Sequence, residues 1–170
     1  MDEVLRFMDM RSFASLWYWM FLAVMWSMVS HRPLGVPFDL IGRARRDAVA
    51  RADVITLVGI GVRRVQGFAS DGAGFVAAAF GMFGCIAVLG FGYGYEFCQA
   101  LALILGPMLG VAMLSLRTVH RLAPMLPGQA DPAGVIRVLL RHRRGVQILG
   151  MVSITLSAFW GGAHTVTFVN

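Results

Sequence analysis

Side chains that could do chemistry are few in this chain of 170 residues, and they are widely spaced. Three histidines, His31, His120 and His142, lie at or beyond the ends of apolar segments, and His164 lies near the far end of the last one. Three converging histidines could bind a metal ion, but their spacing alone does not bring them together. A transmembrane haem would need histidines that face each other within the spans. We therefore predict no metal site and no cofactor.

The two cysteines, Cys85 and Cys98, both lie in apolar segments. They show no CxxC or other ligand spacing, so they predict neither a disulfide framework nor a metal centre. No P-loop, HExxH, GxSxG or dinucleotide-binding glycine pattern stands in a suitable context. We therefore expect that the protein is not an enzyme.

Glu96 is the one charged residue between Gly72 and Leu116. A carboxylate inside a membrane suggests a path for protons or cations. This one ends a turn, Gly90–Glu96, that is rich in glycine and tyrosine, as the interfacial end of a helix is. Water reaches such a turn, so transport by a homo-oligomer is the alternative function here and not the first.

Four apolar segments must position these side chains, at about residues 12–30, 72–94, 97–116 and 146–168. A helix of ~20 residues spans the ~30 Å hydrocarbon core of a bilayer. The chain is 58% hydrophobic and 14% charged, with a mean hydropathy of +0.70. Soluble domains are about 25% charged. We predict an all-α membrane protein, a single domain over residues 1–170 with four transmembrane helices and amphipathic cytoplasmic helices.

Two stripes of small residues predict where these helices pack. The members recur at every fourth residue and are Ala102, Gly106 and Gly110 in the third span and Ser153, Ser157 and Gly161 in the fourth. Small side chains at this spacing let helices approach closely, so we expect the stripes to pack against partner subunits. Pro107 removes a backbone donor from the third span and predicts a kink near Leu103.

Two basic segments, residues 31–71 and 117–145, contain or border on 13 of the 15 basic residues, and all of these are arginine. The positive-inside rule places both segments in the cytoplasm. With four spans, both termini and the Gly90–Glu96 turn then face the periplasm. The arginines belong to a membrane protein, so we read them as a sign of topology and not of nucleic-acid binding.

The first basic segment predicts an amphipathic helix from Asp39 to about Phe68, with Gly59 and Gly61 as the place where it could break. Asp47 is four residues from both Arg43 and Arg51, which is the spacing of helical ion pairs. Such a helix can lie on the membrane with its arginines at anionic headgroups, or it can pack on the bundle. Both alternatives stay open at this point.

The second basic segment begins with prolines and ends in a basic helix. Asp131 and Pro132 predict an N-cap followed by proline at the first helical position, with the helix continuing toward Arg144. We expect the arginines of both segments to bind membrane lipids or an acidic partner. Those that we assign to this role are Arg43, Arg45, Arg46, Arg51, Arg141, Arg143 and Arg144.

Three stretches, Asp9–Trp19, Ser30–Pro37 and Arg43–Arg46, resemble a family of alphaproteobacterial integral membrane proteins. The resemblance covers the first third of the chain well and the apolar hairpin loosely. Members are often labelled "component of SufBCD complex", which implies iron–sulfur cluster assembly. The family supplies no catalytic residues, and the resemblance implies a location in a bacterial inner membrane.

The function predicted from the sequence is therefore a non-catalytic accessory or scaffold subunit of a larger inner-membrane complex. Its partners would be membrane lipids and other integral membrane subunits or further copies of itself, and nucleic acid is not among them. The alternative is a small transporter or channel that acts as a homo-oligomer.

Overall fold

The computed structural model describes residues 16–31, 33–126 and 131–167. These residues are 92% helical and contain no strand, which confirms the all-α prediction. The helices are α1 (Leu16–His31), α2 (Phe38–Ala44), α3 (Ala48–Asp71), α4 (Ala73–Ala87), α5 (Glu96–Leu122) and α6 (Pro132–Thr167). A π-helical turn at Val88–Gly92 continues α4, and 3₁₀ turns occupy Pro33–Gly35 and Ala123–Met125.

Three segments of the described chain are helical, long and apolar enough to cross a membrane. They are Gly74–Gly92, Glu96–Met125 and Pro132–Ala163. The described part of α1 has 16 residues, and residues 12–15, the predicted start of the first span, lie outside the described part. A fourth span therefore stays a prediction.

The turn between the second and third predicted spans is shorter than expected. The prediction gave it Gly90–Glu96, whereas the π-helical turn reaches Gly92 and α5 begins at Glu96. Gly94 lies between them with φ of +79°, a conformation that glycine adopts without a steric penalty. The glycines in this turn thus divide into helical ones and one that reverses the chain.

Contacts among the described residues divide the chain into two units. The apolar unit contains residues 16–26, 75–110 and 149–167, and the basic unit contains residues 27–31, 33–74, 111–126 and 131–148. Helices α1, α5 and α6 contribute residues to both units. The prediction of a single domain stays a prediction.

The apolar unit leaves many of its large side chains exposed, as a lipid-facing bundle does. Trp17, Phe75 and Phe159 are exposed, although water would disfavour them. Within Gly74–Gly92, only 6% of the most apolar 18-residue stretch is buried inside the chain. Exposed apolar surface of this extent is compatible with a membrane protein.

The basic unit has a hydrophobic core of its own. Ala50, Val54, Val58 and Val62 recur at every fourth residue of α3, and each is at most 4% exposed. They pack in one cluster with residues of α5 and α6, which are Val119, Leu122, Val135, Ile136 and Leu139. The apolar face of α3 is therefore buried in this core, as the packing alternative requires, and is not left for lipid.

The helix predicted from Asp39 to Phe68 is two helices, and the predicted position of its break is wrong. Helix α2 ends at Ala44 and α3 begins at Ala48, so the break falls at Arg45–Asp47. Helix α3 continues through Gly59 and Gly61. Glycine is only weakly unfavourable inside a helix, and the buried face on either side of this pair keeps α3 continuous.

Asp47 marks the start of α3 in place of forming the predicted ion pairs. Its Oδ1 accepts a hydrogen bond from the backbone N–H of Val49 at 3.0 Å, which is the pattern of an N-cap. Arg51 donates from Nε to the carbonyl oxygen of Ala44 at 3.0 Å. The carboxylate of Asp47 lies within 4.0 Å of neither the Arg43 nor the Arg51 guanidinium group, because the carboxylate caps α3 and the Arg51 side chain donates to Ala44 instead.

The N-cap predicted at Asp131 is confirmed. Its two carboxylate oxygens each accept a backbone hydrogen bond at 3.0 Å, one from Ala133 and one from Gly134. The basic helix predicted toward Arg144 and the last span predicted from about residue 146 belong to one helix, because α6 runs without a break from Pro132 to Thr167. The membrane boundary within α6 stays a prediction. Gly145 lies inside it and packs so closely on Leu114 that an added Cβ would be 2.7 Å from Cδ2.

Candidate functional site

The first small-residue stripe lies on α5 and faces other helices of the same chain. Ala102 is buried. A Cβ added at Gly106 would be 3.5 Å from the ring of Phe83, and one added at Gly110 would be 3.5 Å from Leu149. At Gly106 and Gly110 the stripe therefore contacts α4 and α6 of this chain, and its docking on a partner subunit stays a prediction.

The second stripe is also buried, and the hydroxyl groups of its two serines form hydrogen bonds to other helices. Tyr18 donates a hydrogen bond from its hydroxyl to Ser157 Oγ at 3.0 Å. Ser153 donates to the carbonyl oxygen of Leu103 at 3.4 Å, and Gly161 is buried one turn beyond Ser157. These contacts lie within the apolar unit and connect α6 to α1 and α5.

A polar junction at the end of the hairpin involves Gln99, which the sequence analysis did not select. Gln99 is 3% exposed; its Nε2 donates to the carbonyl oxygen of Gly90 at 2.9 Å, and its Oε1 accepts from Trp160 Nε1 at 3.0 Å. We call this group the Gln99 junction. The ring of Phe91 meets that of Trp160 edge to face at 5.2 Å. The available signal was that Gln99 is an amide in an otherwise apolar span, which needs a partner when buried.

A second buried polar pair lies in the basic unit. Thr118 Oγ1 donates to the carbonyl oxygen of Leu114 at 2.7 Å and lies 3.0 Å from His142 Nδ1. A hydroxyl has one proton, so with Thr118 donating to Leu114 the contact with His142 is a hydrogen bond in the tautomer that carries the imidazole proton on Nδ1. Among the residues that the structure describes, no three histidine, cysteine, aspartate or glutamate side chains come together.

The feature best suited to binding a small ligand is a cleft of about 470 Å³ in the basic unit. Arg45 and Arg51 line one side, at the break between α2 and α3 and in the first turns of α3. Arg137 and Asp131 line the other, on α6 and at its N-cap. We call it the arginine cleft. Three guanidinium groups and one carboxylate at one cavity are suited to binding an anion.

Three of the four charged groups in the cleft are free to meet a ligand, and the fourth is engaged by its own helix. Asp131 accepts its two backbone hydrogen bonds at the start of α6. Arg51 uses Nε for the carbonyl oxygen of Ala44, which leaves its terminal nitrogens. Within the described ranges, no carboxylate comes within 4.0 Å of the guanidinium groups of Arg45, Arg51 or Arg137.

The remaining predicted arginines do not share this cleft. Arg43 lies 3.7 Å from Asp39, with both side chains exposed. Arg143 places its guanidinium 3.4 Å from the ring centre of Phe38, a cation–π contact. Arg46, Arg141 and Arg144 are exposed. Of the seven arginines assigned from the sequence, only Arg45 and Arg51 line the cleft.

Arg137 is the cleft residue that the sequence analysis missed. It was counted for topology and was not given a binding role. The signal was present in the predicted N-cap, since Arg137 follows Asp131 by six residues and so lies within the first two turns of the helix. Its position beside Arg45 and Arg51 depends on a tertiary contact that no local pattern specifies.

Comparisons with protein-family models, with curated proteins and with solved structures found no match to this chain.

Proposed function

We propose that this chain is a non-catalytic accessory or scaffold subunit of a larger complex in a bacterial inner membrane. Four transmembrane helices anchor it, its termini face the periplasm, and its basic unit lies in the cytoplasm. There the basic unit holds anionic lipid or an acidic component of the complex.

The observation that supports this proposal most is that the basic unit combines a large excess of arginine with a packed hydrophobic core. Residues 27–74 and 111–148 contain 13 arginines and five aspartates. The same unit has a buried core formed by α3, α5 and α6. Those of its arginines that the structure describes are therefore carried by a packed scaffold, which keeps the electrostatic attraction to an anionic partner directed.

The polar side chains inside the apolar unit favour a structural role over transport. Gln99 pairs with Gly90 and Trp160, and Ser157 pairs with Tyr18. A transporter or channel needs polar groups that face a substrate path. These groups are instead used to connect helices, so a homo-oligomeric transporter remains the alternative with less support.

The test is isolation of the intact assembly. The tagged chain, expressed at its native level, is extracted in a mild detergent, separated on a native gel and identified by mass spectrometry. We expect a defined species far above the chain mass of 18.5 kDa that contains other membrane subunits in fixed ratio. A species made only of this chain, with ion flux in proteoliposomes that the Glu96→Gln variant abolishes, would establish the transporter instead.

A charge-reversal variant shows which part of the chain holds the partner. Arg46→Glu and Arg141→Glu change exposed side chains of the basic unit. If that unit docks an acidic component, this variant loses the component and keeps those held by the apolar helices. Unchanged composition would show that the basic unit has no part in assembly.

A further inference from the structure

The arginine cleft is a formed cavity and not a feature of one helix. Its walls come from the α2–α3 break and from the first turns of α6, both within the basic unit. Its volume of about 470 Å³ lies in the range of small-ligand sites, about 300–1,000 Å³. It thus has room for a small organic anion.

The charges around the cleft are not balanced. Arg45, Arg51 and Arg137 contribute three positive charges, and Asp131 contributes one negative charge that is directed at the backbone N–H groups of α6. Like charges repel one another, so an anion between the three guanidinium groups would relieve this repulsion. The cleft therefore favours a ligand of at least one negative charge.

The type of side chain narrows the chemistry of that ligand. A guanidinium group presents a planar fork of donors that matches the oxygens of a phosphate, and a phosphate can accept from more than one fork at once. Arg51 has its side chain fixed in advance by the bond to Ala44, so less conformational freedom is lost on binding. Ile136 and Leu140 add apolar wall beside the charged groups, which suits a carbon substituent on the phosphate.

We propose that the arginine cleft binds a phosphate ester, with Arg45, Arg51 and Arg137 as its ligands and the carbon part of the ester against Ile136 and Leu140. The ester belongs either to a lipid headgroup or to a soluble metabolite. The inference goes beyond the accessory role, because a small anion can occupy this cleft whether or not a partner subunit is bound. Failure to find a partner complex and failure to bind phosphate are thus separate results.

The experiment uses the full chain in a nonionic detergent and counts bound anions by native mass spectrometry. One arm adds glycerol 3-phosphate, and the other adds short-chain phosphatidic acid to the micelles. We expect one equivalent to bind saturably in at least one arm. Saturation with glycerol 3-phosphate assigns a soluble ester, and binding of phosphatidic acid alone assigns a headgroup. Absence of saturable binding in both arms would overturn the proposal.

Two variants with the same change in charge separate a site from general attraction. Arg45→Gln with Arg137→Gln removes two cleft arginines and leaves Arg51, which has a structural bond. Arg46→Gln with Arg141→Gln removes two exposed arginines outside the cleft lining.

We expect the cleft variant to bind at least about tenfold more weakly than the parent, because each lost charged hydrogen bond contributes substantially. The control variant should bind within about twofold of the parent, since surface charges act weakly over distance. Both variants should elute and melt like the parent, because the substituted side chains lie at the surface. Equal loss of binding in the two variants would show diffuse attraction and overturn the site.

Discussion

Trp160 donates a hydrogen bond from its indole Nε1 to Oε1 of Gln99 at 3.0 Å, although the two residues are 61 positions apart in the chain. The same amide donates from Nε2 to the carbonyl oxygen of Gly90 at 2.9 Å. One side chain thereby connects α6, α5 and the π-helical turn that ends α4. π-Helical turns are rare and occur mostly as single turns within α-helices, and this one is a single turn at Val88–Gly92.

Replacing Gln99 with leucine should lower the thermal stability of the chain in detergent. The leucine fills a similar volume but leaves the indole N–H of Trp160 without its acceptor, at a cost of about 1 kcal/mol. Gln147→Leu is the control, because Gln147 is an exposed amide on α6. The midpoint of unfolding, followed by tryptophan fluorescence, should fall for Gln99→Leu and stay for Gln147→Leu. Equal midpoints for the two variants would count against the Gln99 junction.

Replacing Gly90 with alanine should destabilise the hairpin, even though alanine is the better helix former. A Cβ at this position would be 2.7 Å from the backbone nitrogen of Gln99, so the two helices must move apart. Gly81→Ala is the matched control, since a Cβ there meets nothing within 4 Å and should add up to about 1 kcal/mol of helix stability. The two variants should therefore shift the unfolding midpoint in opposite directions. A stabilising Gly90→Ala would contradict the close approach.

Pro107 and Ser153 should be coupled through Leu103. Proline has no N–H, so the carbonyl oxygen of Leu103 loses its helical donor, and Ser153 approaches that oxygen at 3.4 Å. Ser153→Ala should cost about 0.5 kcal/mol in the parent. In a Pro107→Ala background the helix supplies its own donor, and the same change should cost nothing. A double-mutant cycle on unfolding midpoints measures this difference, and additive effects would contradict the coupling.

The sequence contains the local features of this fold but not the contacts between distant residues. The helical content, the hairpin and the N-cap at Asp131 follow from apolar length, turn glycines and capping chemistry. The sequence did not predict the break at Arg45–Asp47, because the position of Asp47 in the sequence fits a helical ion pair as well as a helix N-cap. Tertiary packing of α3 in the basic core decides between them.

Of the three arginines at the candidate site, the sequence predicted two. Arg45 and Arg51 were selected because they belong to a dense run of arginines, and Arg137 was not selected because its neighbours in sequence are apolar. The three arginines line one cavity, although Arg51 and Arg137 are more than 80 positions apart in the sequence. Charge density in the sequence shows that an anion is attracted, and only the fold shows where it can bind.

The arginine distribution and a fourth span together predict periplasmic termini and cytoplasmic basic segments. Reporter fusions test this topology. Alkaline phosphatase is active only in the periplasm, so a fusion after Asn170 should be active and fusions after Arg64 or Arg137 should not. The physical reason is the excess of arginine in residues 31–71 and 117–145, which the positive-inside rule predicts to be retained in the cytoplasm. Activity after Arg64 or Arg137, together with none after Asn170, would reverse the orientation.

Asp131 should weaken the affinity of the arginine cleft for anions, because it adds a negative charge to the cavity wall. Asp131→Asn keeps a side-chain oxygen for the N-cap of α6, and asparagine caps about as well as aspartate. Since one of the two capping acceptors becomes an amide, we expect a small loss of thermal stability. Glycerol 3-phosphate or phosphatidic acid should nevertheless bind about threefold or more tightly to this variant. Asp53→Asn is the control, since Asp53 is exposed on α3 and outside the cleft lining, and its affinity should match that of the parent. Native mass spectrometry measures both, and an equal gain in the two variants would show that net charge alone, and not the cleft, sets the affinity.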